Sequence, residues 1–152
     1  MFEADEHRIA VHEAGHVVVG HVEGVPIKGV TLDAEEAEEG FGGVWFPKPT
    51  EMTEEDLVSR GRVAWAGSVA ESLVFDSALQ TSWRADVMLV FELSDEHGQE
   101  VGPFYVRDEV KEAARQVLNA NRNALDEVTR LLLRHGTVDG EQLTTILDEV
   151  VS

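Results

Sequence analysis

His12 and His16 stand four residues apart, and Glu13 follows the first directly. On a helix that spacing sets the two imidazoles about 40° apart around the axis and about 6 Å along it, so both can converge on one divalent ion. Glu13, roughly 60° around from His16, points beside such an ion rather than at it, where it can hold a water. The division of labour suits hydrolysis. Two histidines and a third ligand fix Zn²⁺ with one position open, the metal lowers the pKa of its water towards about 7, and the glutamate takes the proton. The pattern alone is suggestive, because this composition would generate it by chance at roughly the 3% level. The competing reading is a pair of core histidines satisfied by hydrogen bonds. That reading needs several buried partners, since each unpaired polar group costs about 1 to 3 kcal/mol and a charge costs more.

The chain has no cysteine, so a thiolate ligand and a disulfide framework are both excluded. Any metal must be held by His and carboxylates. Asp86 opens an apolar run, Val87 to Phe91, and a carboxylate leading into a buried segment needs either helix amides or a cation. It is a reasonable third ligand, with Glu71, Asp76 and Glu92 as competitors by periodicity. His97, in the polar stretch Ser94 to Gly102, reads as a solvated surface histidine.

The elements that must position these groups follow from the pattern around them. Arg8 to Gly20, RIAVHEAGHVVVG, is apolar on nearly every side, which predicts a buried helix, with Asp5 as its N-cap. Gly24 and Pro26 end it. Val25 to Leu32 and Gly42 to Phe46 read as two strands able to pair antiparallel across an acidic connection, Asp33 to Gly40. Thr53-x-x-Asp56 marks the start of a helix running from about 54 to 75. Gly15 and Gly67 each cost a helix about 1 kcal/mol relative to Ala, which makes sense where two helices approach closely. Glu71 lies in the apolar part of that second helix, placed either to support the histidines from behind or to face solvent. A third helix is expected over Gln80 to Leu93, capped by Ser82. Val106 to His135 is strongly helical, with Asn119, Asn121 and Asn123 as the places where it bends or breaks, and Asp139-x-x-Gln142 starts the last helix.

With 152 residues, 43% of them hydrophobic, and no shift in composition, the expectation is a single domain over 1–152 with a real core. Its 12 basic and 30 acidic residues give a net charge of −18. Such a surface repels nucleic acid and anionic lipid. No signal peptide is read at the N-terminus and no apolar run reaches the roughly 20 residues of a membrane span, so a cytoplasmic protein without membrane insertion is expected.

Taken in order, HEAGHVVVG, FGGVWFP, AWAGSVAESLVF, TSWRADVMLV, VGPFYV and a long helix followed by TVDGEQL give the chain, from about Arg8 to Leu147, a pattern that resembles the peptidase domain of the FtsH-type ATP-dependent zinc metalloproteases. The resemblance implies a mainly α, α+β fold: a helical zincin-type domain with a small two-stranded β-sheet. It implies Zn²⁺ held by His12, His16 and Asp86, with Glu13 as catalytic base. It implies that the edge strand, Gly42, Gly43, Val44 and Trp45, guides an extended substrate. The chain departs from the family at Trp83 and Arg84, where small residues are usual, and in its acidic stretch Asp33 to Glu39. These 152 residues hold neither the family's membrane helices nor its ATPase ring, and the expected substrates are flexible or already unfolded polypeptides. Two functions follow as expectations: a zinc metalloendopeptidase, or a metal-binding peptidase-like domain that acts as an interaction or regulatory module. In the second case a separate ATPase chain is one candidate partner.

Overall fold

The computed structural model describes residues 2–32, 43–46, 53–76 and 108–151. It is mainly helical with a small antiparallel sheet, the class expected from the sequence. In chain order the elements are α1 (Phe2–Val22), β1 (Gly29–Thr31), β2 (Val44–Trp45), α2 (Glu54–Phe75), α3 (Asp108–Ala120), α4 (Arg122–His135), β3 (Thr137–Asp139) and α5 (Gly140–Val150).

Helix α1 is buried from Ala10 to Gly20 without interruption, as its all-round apolar composition requires. It begins at Phe2, so Asp5 lies inside the helix and is not its N-cap. The physical reason is that the residues before Asp5 include Glu3 and Ala4, good helix formers, and no breaker. Helix α2 starts where the capping box predicts: Thr53 Oγ1 accepts from the Asp56 amide, and the Asp56 carboxylate accepts from the Thr53 amide at 2.9 Å.

The two central helices run antiparallel. The pairs His12 with Glu71, His16 with Val63 and Glu23, just past α1, with Arg62 step in opposite directions along the two helices. Small residues permit the close approach. A Cβ added to Gly15 would stand 2.5 Å from the Ala66 carbonyl oxygen and 2.7 Å from the Ala70 Cβ. Helix α4 packs against α1 and α3 against α2, contributing Leu118, Leu125, Val128 and Leu132 to the shared core.

The helical stretch before Gly136 is divided at Asn121, whose backbone leaves helical geometry (φ −126, ψ 38). Its side-chain amide donates to the Val117 carbonyl at 2.9 Å, the local competition that makes Asn a helix breaker. Beyond α4 the chain makes a strand that the sequence pattern did not predict. β3 joins the two expected strands to give the order β2-β1-β3, with Val30 opposite both Val44 and Val138. At three residues, only Val138 of which is buried, β3 is too short to show a period. Asp139 then caps α5, accepting from the Gln142 amide at 2.8 Å.

Candidate metal centre

His12 and His16 both lie on the side of α1 that faces α2, 8% and 0% exposed. Each ring is held from behind at Nδ1. The His16 Nδ1 is 2.6 Å from the carbonyl oxygen of Val63, and the His12 Nδ1 is 2.7 Å from Glu71 Oε2. A carbonyl only accepts, and the Glu71 carboxylate also accepts from Arg8 at 3.1 Å, so both imidazoles carry their proton at Nδ1. With both rings neutral the two Nε2 atoms present lone pairs, and they face each other at 3.1 Å with the rings at 82°. Lone pairs so close repel unless a metal ion lies between them or one ring carries a second proton. Two nitrogens at 2.0 to 2.1 Å from a tetrahedral zinc would be about 3.3 Å apart, close to the separation found.

Gly67 completes the floor. A Cβ there would stand 2.5 Å from His12 Nε2 and 2.6 Å from His16 Nε2. The absence of a side chain on α2 thus lets both Nε2 atoms reach the helix surface.

Glu13, 6% exposed, turns towards the sheet. The Gly43 amide, just ahead of β2, donates to its Oε2 at 3.0 Å. Gly43 must be glycine for this geometry, because a Cβ would overlap the Thr31 carbonyl oxygen and lie 3.4 Å from the Glu13 carboxyl carbon. β2 continues along α1 in the same direction, so that Phe46 reaches Gly20: the Phe46 ring would be 3.4 Å from a Cβ at that position. Val44 is buried in the core and Trp45 covers Gly29. The Gly43 carbonyl accepts from Thr31 of β1 and the Trp45 carbonyl from Lys28 just before it, so in an antiparallel ladder the N–H and C=O of Val44 are directed to the opposite side.

The structure thus brings His12, Glu13, His16, Glu71, Gly43 and Gly67 to one place. Glu71 sits behind His12, on the Nδ1 side, and does not compete for the Nε2 side. Asp76, another candidate ligand, is exposed at the far end of α2 with left-handed backbone (φ 62). Asp86, Gly42, Glu92 and His97 lie outside the described residues. Among the described residues no group of three or more His, Cys, Asp or Glu side chains is placed to hold a metal. The pair of imidazoles could supply two ligands.

Three participants escaped the sequence reading. The Val63 carbonyl and the Gly43 amide are backbone groups, to which side-chain identity is blind. Arg8 was visible in principle: it lies four residues before His12 on one helix face, and it stacks on Phe75 at 4.7 Å while holding Glu71.

No family model matches the chain. Among the described residues, no helix is long and apolar enough to cross a membrane. In a comparison with curated proteins the chain is similar to the ATP-dependent zinc metalloprotease FtsH 3 of Synechocystis sp. (strain ATCC 27184 / PCC 6803 / Kazusa), with 26% identity over 196 residues. The match covers 97% of this chain and 32% of that protein, so the chain spans about a third of its relative. At that level the similarity supports a distant relationship to FtsH.

Proposed function

We propose that this chain is a zinc-dependent peptidase acting on flexible or unfolded polypeptides. The observation that carries the reading is the pair of Nε2 atoms 3.1 Å apart, each imidazole fixed at Nδ1 by a buried acceptor. That is the arrangement by which proteins orient metal-ligating histidines and fix their tautomer. The distant similarity to a zinc metalloprotease points the same way.

His12 and His16 would hold zinc, with Asp86 as the third ligand. When bound, zinc supplies a Lewis acid and lowers the pKa of a water in the open position. Glu13 is the proton carrier. Its Oε2 is held by the Gly43 amide, which fixes the carboxylate beside the histidines so that Oε1 takes the proton from water and returns it to the leaving amine. The backbone of Val44 offers an extended peptide one edge-strand pairing. Glu71 and Arg8 keep His12 in its tautomer and orientation.

The test is cleavage of an unfolded protein substrate by purified protein, with and without a chelator. The expected result is cleavage that the chelator abolishes and that one equivalent of zinc restores. Zinc near one per chain with no cleavage of any unfolded substrate would instead favour a metal-binding interaction domain.

A further inference from the structure

Arg60 is 7% exposed, and among the described residues its guanidinium has no carboxylate within salt-bridge distance. It stacks on Phe46, with Cζ 5.3 Å from the ring centre. In a chain with 30 acidic and 12 basic residues, a buried cation without an ion pair is not explained by a shortage of anions. Asp56, one turn earlier, acts on it only at a distance, its carboxylate being committed to the Thr53 amide. Burial pushes the Arg60 guanidinium below its ordinary range, the direction expected of a cation kept from water without adequate compensation.

Its position gives that cation a use. Arg60 and Gly67 are seven residues apart, two turns, and so share one face of α2 about 10 Å apart along the axis. Gly67 underlies the two histidines, while Arg60 meets the residue that ends the β2 stretch. We infer that Arg60 is an anchor for a carboxylate of the bound peptide, at the Phe46 end of the path that begins beside Glu13. This rests on the peptidase reading above. An extended chain advances about 3.3 Å per residue, so the anchored carboxylate lies about three residues from the bond that is cut. An acidic side chain and a free C-terminus both supply the group.

The experiment uses the zinc-loaded full chain, Arg60→Gln and Arg60→Lys, and a set of unfolded peptides in which one Gln is replaced by Glu at successive positions. A further pair of peptides carries a free or an amidated C-terminus. Hydrolysis is followed as kcat and KM, and binding of the same labelled peptides is measured by fluorescence anisotropy on the Glu13→Gln protein with and without the Arg60 change. Glu at one position about three residues from the cut should improve KM and binding roughly tenfold, with kcat little changed. Arg60→Gln should erase the difference and Arg60→Lys should keep part of it. A gain confined to the free C-terminus assigns the carboxylate to the chain end, and a gain confined to Glu assigns it to a side chain.

Arg60-dependent binding without cleavage would sustain the anchor and overturn the peptidase reading. Cleavage with equal Glu and Gln preference in the parent and in Arg60→Gln would overturn the anchor alone. Absence of any carboxylate-dependent binding would also overturn it.

Discussion

Glu71 Oε2 lies 2.7 Å from His12 Nδ1, and Glu71 Oε1 lies 3.1 Å from Arg8 Nη1, so one buried carboxylate ties the start of α1 to the first imidazole. The carboxylate makes His12 a better donor through Nε2, because hydrogen bonding at Nδ1 raises the electron density of the ring. Glu71→Gln preserves shape but removes the charge and turns an amide N–H₂ towards either Arg8 or His12. Zinc affinity should fall about 10- to 100-fold while the fold persists. Competition against a chromophoric chelator measures it, and unchanged affinity would show that Glu71 serves packing alone.

Gly67 has the most direct steric prediction. A methyl group at this position would enter the space within 2.6 Å of both Nε2 atoms. Gly67→Ala should gain helix propensity, about 1 kcal/mol in an exposed helix, and yet lose metal binding because the rings must move. Gly15→Ala tests the other contact between the same helices. It should destabilise by about 1 to 3 kcal/mol through overpacking. Zinc content and thermal melting of the two variants separate the effects: the first loses metal, the second loses stability.

The N-terminus of α2 carries a pH dependence. The Thr53 amide, and then the Thr53 hydroxyl, hold the Asp56 carboxyl below its ordinary value of 3.8, with a smaller contribution from Arg60. A depressed carboxyl pKa contributes stability that is present above the unfolded value and lost as pH falls through the folded one. Asp56→Ala and Thr53→Ala should each cost about 1 kcal/mol at neutral pH. For Asp56→Ala the difference from the parent should shrink as pH drops below 3.8. Urea titrations at pH 7 and at successively lower pH check it, and a difference that stays constant with pH would argue against the carboxylate as the group responsible.

How much of this was legible beforehand depended on the kind of signal. The helical frame was readable because capping residues and apolar periodicity are local: Thr53 with Asp56, and Asp139 with Gln142, mark the starts of α2 and α5 where side-chain chemistry dictates. The close packing at Gly15 and Gly67 was readable because glycine inside a helix is costly without a reason. Convergence of His12 and His16 follows from helix spacing. What spacing could not give was Glu71, whose approach to His12 spans 59 residues and depends on how α1 and α2 cross. The same holds for the Gly43 amide on Glu13, 30 residues away. β3 was missed because three residues carry no period, and Asp5 was misread because an N-cap residue type occurs within helices as well.

The central claim is that α1 presents a metal through His12 and His16 while Glu13, steadied by the Gly43 amide, moves the proton. Its most direct test is Glu13→Gln, assayed on one preparation for zinc per chain and for hydrolysis of an unfolded peptide. The expected result is zinc near one equivalent, as in the parent, with hydrolysis reduced by about 10² to 10⁴. A variant that binds zinc and cuts at the parental rate would contradict the assignment.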